Sequence, residues 1–279
     1  MQVQSGKTAV ITGAASGIGL ALATRAAKLG MNLVLADIDA EGLAAAALGL
    51  GLDPGRCCVQ RTDVSRDEDV AALARLAFER YGAVHLLCNN AGVALSRVTW
   101  EHSLADWEWV LGVNLWSVIH GIRHFLPPML AQAEGGHVVN TASAAGLLST
   151  PGMAAYNVSK HGVVTLSETL YGELRTLKAK VDVSLLCPAW VATGIHESER
   201  NRQPQYGQAG APGEASRAYR ERLTAAVKSG RLSAEDMAAA VFDAVAAKRF
   251  YVIPHRKINN AIKLRLEDIL EARNPTQLV

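Results

Sequence analysis

Charge of one sign, aromatic rings and long apolar runs are all scarce in this chain. Lysine and arginine number 28 against 26 aspartates and glutamates, a net charge of +2 with no concentrated basic run, so nucleic acid is not expected as a partner. Hydrophobic residues make up 49% of the sequence, but they come in short runs broken by Gly, Asp, Asn and Arg. None approaches the roughly 18 apolar residues of a bilayer span, and no membrane partner is expected. No basic leader with a following apolar core and small-residue cleavage site opens the sequence, which makes a cytoplasmic location the expectation. The four cysteines, Cys57, Cys58, Cys88 and Cys187, fall in or beside apolar strand-like runs without ligand spacing and read as reduced core thiols. The eight histidines form no recognisable ligand set, so no metal is expected.

What is present is an alternation of strand and helix. Thr8 to Thr12 reads as a short buried strand, followed by a glycine turn and an alanine-rich helix from about Ile18 to Leu29. Asn32 to Ala36, Cys57 to Arg61, Val84 to Cys88, His137 to Asn140 and Val181 to Cys187 follow as further strands, separated by helical stretches. A helix over 234–247 and a strand over 250–253 complete the sheet. Right-handed crossovers then require a parallel sheet with helices on both faces, and ligands of such sheets bind beyond the carboxyl ends of the strands. With 279 residues the chain can fill one large core, and 1–279 is read as a single α/β domain.

The glycine turn is Thr12-Gly13-Ala14-Ala15-Ser16-Gly17-Ile18-Gly19. Gly13 permits the turn, Gly17 and Gly19 allow close backbone approach, and the helix starting near Ile18 offers free N–H groups to a pyrophosphate. Three glycines in an alanine-rich stretch can equally be an ordinary tight turn. The second strand ends at Asp37, twenty-four residues after Gly13, where a carboxylate can accept from the adenosine ribose hydroxyls. The same charge would repel a 2′-phosphate, and neither Ser16 nor Ile38 and Asp39 supply a positive charge. NAD is therefore expected rather than NADP. The bland alternative is an Asp37 that only caps a helix beginning at Asp39 or Ala40.

Tyr156 and Lys160 are spaced i, i+4, which places both on one helix face. A nearby ammonium stabilises a phenolate, so Lys160 is expected to lower the Tyr156 pKa from its ordinary value of about 10. Without context the pair would be a solvated helical pair of no consequence. Ser143, thirteen residues upstream and just beyond a strand, makes a shared cleft the better reading.

With the glycine turn, Asp37, Asn89-Asn90-Ala91-Gly92 and the Tyr/Lys pair in this order, the chain resembles the classical short-chain dehydrogenase/reductase family from about Lys7 to Thr193. The resemblance implies a Rossmann-type doubly wound parallel sheet. It implies that Asp63 and Val64 border the adenine, that Asn90, Ala91 and Gly92 line the cofactor cleft, and that Asn114 helps hold a water in a proton relay reaching Lys160. Lys160 would also bond the nicotinamide ribose, and Pro188, Val191 and Thr193 match positions along the nicotinamide. Ala189 stands where the family has glycine; alanine tolerates positive φ poorly, which puts the loop path in question. The implied reaction is hydride transfer between an alcohol carbon and nicotinamide. Tyr156 exchanges the hydroxyl proton and Ser143 bonds the same oxygen.

Leu147, Leu148, Met153 and Trp190, with Leu95 and Trp100, are expected to line an apolar substrate pocket. The expected substrate is a hydrophobic, aryl or alicyclic, secondary alcohol or its ketone. Ile195-His196-Glu197-Ser198 also resembles the lid of bacterial enzymes that oxidise the benzylic alcohol of lignin-derived aryl ethers. Two other readings stay open, a dinucleotide-binding regulatory or scaffold protein without turnover and an NADP-dependent carbonyl reductase. The polar stretch from Gly194 to Ser216 opens an expected substrate lid over 194–230. A basic amphipathic extension occupies 255–279, with Ile258, Ile262, Leu264, Ile269 and Leu270 on one apolar face. The family resemblance implies a homodimer or homotetramer built on the helices after the fourth and fifth strands.

Overall fold

The structure, a computed structural model, describes residues 5–208 and 210–277. Its strands are β1 (Thr8–Thr12), β2 (Asn32–Asp37), β3 (Cys57–Arg61), β4 (Leu86–Asn89), β5 (Gly136–Thr141), β6 (Val181–Leu186) and β7 (Tyr251–Val252). They form one sheet in the order β3-β2-β1-β4-β5-β6-β7, every neighbouring pair parallel. Connections leave β1 outward to β2 and β3, then return across it to β4. The carboxyl ends of β1 and β4 therefore open a crevice between diverging crossovers.

The long helices are α1 (Gly17–Lys28), α2 (Ala40–Gly49), α3 (Asp67–Tyr81), α4 (Leu104–Leu111), α5 (Ser117–Ala131), α6 (Ala154–Thr176), α7 (Glu214–Lys228), α8 (Ala234–Ala246) and α9 (Ile258–Leu270). Alternate strand residues feed two cores, as the two-residue repeat of a strand demands. Val10 and Val34 pack with Leu73, Trp109, Phe125 and Leu170 from α3 to α6. Ile11, Leu33 and Leu35 pack on the other face with Leu22, Leu43, Val241 and Phe242 from α1, α2 and α8. All five residues of β1 are buried, which is why this strand carries no polar alternation.

Two local devices set the approach of helices to the crevice. Gly121 lets α5 lie directly on β4, since a Cβ there would come within 2.1 Å of Asn89 Oδ1. Between α4 and α5 the chain runs as a π-helical turn over Gly112–Trp116, a distortion that turns Asn114 fully inward.

Three expectations need correction. The stretch expected as an extended polar lid contains short 3₁₀ turns, Gly194–Asn201 and Pro204–Tyr206, and then the helix α7. Its apolar contacts, Leu223 and Val227, are too few for the sequence pattern to announce the helix, and residue 209 of that stretch lies outside the described residues. In α9 the inward position near the end is taken by Asp268, which accepts from Thr276 N at 2.8 Å, while Ile269 and Leu270 are exposed and do not pack on the chain's own domain. Residues 1–4, 278 and 279, at the ends of the expected domain and extension, also lie outside the described residues. All four cysteines are free, but Cys57 and Cys58 are only half-buried because β3 is the sheet's edge.

Candidate active site

The crevice is a cleft of about 1030 Å³ including its open mouth. Gly13, Ser16, Gly17, Ile18 and Gly19 form its floor. Gly13 has φ +67°, and a Cβ on Gly19 would lie 1.9 Å from the Gly13 carbonyl oxygen, so only glycine closes this turn. Ser16 occupies the N-cap of α1 without a side-chain cap bond, leaving the first-turn N–H groups directed at the cleft. Thr12 Oγ1 accepts from Asn90 N at 2.9 Å and Ala91 N at 3.0 Å, and Asn90 Nδ2 donates to Thr12 O at 3.0 Å. These bonds fasten the Asn90-Ala91-Gly92 wall to the glycine turn.

At one end stand Asp37, Asp63 and Val64. Asp37 accepts from Ala15 N at 3.0 Å and Asp39 N at 3.1 Å, while Asp39 caps α2 by accepting from Gly42 N at 2.9 Å. The capping role thus belongs to Asp39, and Asp37 is held in the cleft wall by two backbone donors. Pro188 and Thr193 line the opposite side with Tyr156 and Lys160.

Lys160 Nζ donates to Thr141 O at 2.9 Å and sits 5.7 Å from the Tyr156 ring centroid. Asn114 lies behind them: it exchanges hydrogen bonds with the Val93 backbone at 2.8 and 2.9 Å and donates to Ser159 Oγ at 3.0 Å. Ser159 Oγ in turn donates to Tyr156 O at 2.7 Å, so Asn114 braces α6 through its backbone. Ser143 Oγ accepts from Ala145 N at 3.1 Å and donates to Pro188 O at 3.3 Å.

The charge balance differs from the expectation. Burial pushes the Tyr156 phenol up, opposed by the neighbouring Ser143 hydroxyl, and burial pulls the Lys160 ammonium down to about 8. The ammonium is spent on the Thr141 carbonyl and both groups are dehydrated, so desolvation outweighs their mutual effect. Lys160 holds its proton to its ordinary 10.5 in the unfolded chain but only to about 8 in the fold. The unfolded chain therefore binds more protons in that window, and this group's contribution to stability rises with pH from about 8 to 10.5. Denaturant melts at stepped pH should show wild type gaining on Lys160→Met by about 3 kcal/mol across the window; a flat difference would show that Lys160 is not dehydrated.

Other expected residues are placed elsewhere. Val191 is buried behind the wall, bridged to Leu232, and Ala189 passes without positive φ. None of the expected substrate residues Ser143, Leu147, Met153 and Trp190 is on the cleft wall. Met153 is buried against Tyr156, Ala94, Leu223 and Val227, and Leu147 packs on the cluster beneath β6. Trp190 is 42% exposed, with its carbonyl near His255 Nε2 at 3.2 Å, and Trp100 is 83% exposed. Leu95 lines a separate small cavity beside the 194–201 turn.

Ile195, Ser198, Arg200, Asn201 and Gln203, which the sequence reading assigned to the lid without naming any of them as a binding residue, are all on the cleft wall. They are held by Ala94 N donating to Ser198 Oγ at 3.0 Å, and by Arg202, whose Nη1 donates to the buried Asp106 at 2.6 Å. A serine three residues after Ile195 and an arginine in a polar stretch carry no local signal of such partners.

A glycine-floored crevice at the switch point of a doubly wound sheet, with a buried tyrosine and lysine one helical turn apart on its wall, defines a Rossmann-type oxidoreductase. The chain belongs to the short-chain dehydrogenase family, whose profile matches residues 7–204. It is similar to a short-chain dehydrogenase/reductase from Burkholderia phymatum solved in complex with NAD, with 49% identity, a TM-score of 0.97 and coverage of 100% of this chain and 99% of that one. It is 34% identical over 267 residues to the CLA biosynthesis dehydrogenase/reductase of Lactiplantibacillus plantarum, covering 95% of this chain and 93% of the relative. It is also 34% identical over 264 residues to the 1-deoxy-11-beta-hydroxypentalenate dehydrogenase of Streptomyces exfoliatus, covering 94% and 86%.

Proposed function

We propose that the chain is an NAD-dependent dehydrogenase that interconverts a hydrophobic, aryl or alicyclic, secondary alcohol and its ketone, with Tyr156 as general acid and base. The observation that carries this reading is the buried Tyr156 and Lys160 on the wall of the same cleft as the glycine turn, with the Ser143 hydroxyl beside the phenol although Ser143 is not itself on that wall. The residues fit a dinucleotide: Gly19 leaves the floor without a side chain, the α1 N-terminus offers uncapped N–H groups, and the Asp37 carboxylate is oriented by two backbone donors. Bound there, the nicotinamide supplies the hydride acceptor or donor.

The remaining steps belong to the protein. Ser143 Oγ holds the substrate oxygen, and Tyr156 Oη takes or gives its proton. Lys160 orients the nicotinamide ribose and offsets charge on the phenol, and Asn114 keeps the helix carrying both in register. Val191 supports the nicotinamide loop from behind. Tyr156 is flanked by Ala94, Ala145, Met153 and Ile195, an apolar setting that suits a hydrophobic ring and excludes water. The Streptomyces exfoliatus relative is named for a hydroxylated substrate, 1-deoxy-11-beta-hydroxypentalenate, which agrees with an alcohol as the group oxidised. Residues 194–230 act as the lid, and exposed Trp116, Leu130 and Tyr171 on and beside α5 and α6 suit a homodimer or homotetramer interface. Among the described residues, no helix is long and apolar enough to cross a membrane.

The test is absorbance of the reduced nicotinamide with NAD and NADP against aryl and alicyclic secondary alcohols, and with the reduced cofactors against the matching ketones. Turnover with the NAD pair is expected; silence across the panel would sink the aryl or alicyclic substrate reading. Asp37→Ser is expected to weaken NADH binding about 10- to 100-fold, the worth of charge-assisted bonds to ribose, while leaving NADPH no worse. An unchanged NADH affinity would remove Asp37 from the site.

A further inference from the structure

Gln203 stands at the adenine end of the cleft, although it comes from the segment expected to cover substrate. It is 9% exposed and shares the wall with Asp37, Thr62, Asp63 and Val64. Its Nε2 donates to Asp63 Oδ1 at 3.1 Å, an oxygen that also accepts from Ser65 N at 3.1 Å and Ser65 Oγ at 2.6 Å. A carboxylate only accepts, so this contact fixes which way the amide faces. The other amide atom, Gln203 Oε1, is sealed from bulk solvent and has no partner among the described residues. A buried acceptor left without a donor is destabilising, and among the orphaned atoms of the described residues Gln203 Oε1 is the one whose residue lines the cleft.

We propose that Gln203 is a cofactor-binding residue: its Oε1 accepts from the exocyclic amino group of adenine, so the lid closes on the nucleotide end of the cofactor as well as on substrate. This rests on the dinucleotide reading above. Adenine is the fitting base because its amino group is a donor, whereas a 6-oxo purine would set an oxygen against both Gln203 Oε1 and the Asp63 carboxylate. Gln203 cannot flip to meet that oxygen without withdrawing its Nε2 from Asp63. The neighbouring Arg202 anchors the turn, its Nε and Nη2 donating to Gly207 O at 2.8 Å and Tyr206 O at 2.9 Å.

The experiment is equilibrium binding, by cofactor fluorescence, of NADH and its 6-oxo analogue, reduced nicotinamide hypoxanthine dinucleotide, to the full chain and to Gln203→Met. Wild type is expected to prefer NADH by about tenfold, and Gln203→Met to keep only about threefold. A variant that binds both dinucleotides with the wild-type ratio would overturn the role of Gln203 and leave the cofactor reading standing. Equal binding of the two by wild type would overturn it without any variant. A wild type that binds neither would bring down the cofactor reading, and this inference with it.

Discussion

Tyr156→Phe should lower turnover by about 10²- to 10⁴-fold while leaving NADH affinity within about threefold of wild type. Phenylalanine keeps the ring in its apolar setting against Ala94, Met153, Leu223 and Val227, so the fold and the cleft are retained and only the phenol is lost. Tyr156 is 8% exposed and burial pushes its phenol up, so the free protein holds it protonated at neutral pH. On the proposed mechanism ketone reduction consumes that proton and should persist at neutral pH, whereas alcohol oxidation needs the phenolate and should climb as pH rises. Steady-state rates in both directions, followed by nicotinamide absorbance, give the comparison, and cofactor fluorescence gives the affinity. A variant retaining more than about a third of the wild-type rate would assign the proton transfer to another group.

That upward shift also marks where spacing stops being informative. The i, i+4 relation of Tyr156 and Lys160 was sufficient to place both on one face of α6, but the sign of the phenol's shift depends on how much water each group keeps. Strand boundaries were legible because residues such as Val10, Ile11, Val34 and Leu35 are buried on both faces of a parallel sheet and leave continuous apolar runs. Asp37 was legible for a related reason, since the end of β2 lies one crossover from the glycine turn. Leu147, Met153 and Trp190 were not, because a loop position does not state which way its side chain turns. Met153, adjacent to α6, turns under Tyr156 instead of into the cleft.

The contacts of the segment read as a lid were the least legible of all. Arg202 and Asp106 are ninety-six positions apart, each an ordinary charged residue in its own neighbourhood, and only the fold brings them within 2.6 Å. Asp106 is 1% exposed, and the Arg202 and Arg97 side chains around it are 5% and 6% exposed. Burial alone would push the Asp106 carboxyl up, but the Ser103 amide and Arg202 hold it below its ordinary 3.8. Arg202 also lies 5.1 Å over the Trp109 ring, so it closes the seam between the lid turn and α4.

Arg202→Met should remove the charge while filling most of the volume, and the consequence is a buried carboxylate whose remaining cation, Arg97, stands 3.8 Å away. Breaking one side of such a pair costs about 3 to 5 kcal/mol, most of it the penalty of leaving the other charge dry. For a chain of this size the loss corresponds to a fall in melting temperature of roughly 6 to 15 °C. Because the pair is buried, the fall should be nearly the same at low and high salt, whereas an exposed pair would lose its effect as salt is added. Adding Asp106→Asn should recover part of the loss by removing the stranded charge, a sign opposite to that of two independent substitutions. NADH affinity should weaken in Arg202→Met as well, since Gln203 is the next residue and its hold on Asp63 depends on the turn that Arg202 fastens. Scanning calorimetry at two salt concentrations, with fluorescence titration of the same samples, separates the outcomes. A salt-dependent loss below about 1 kcal/mol would mean that water reaches Asp106 and that the lid is held by its apolar contacts, Leu223 and Val227 against Tyr156, rather than by this pair.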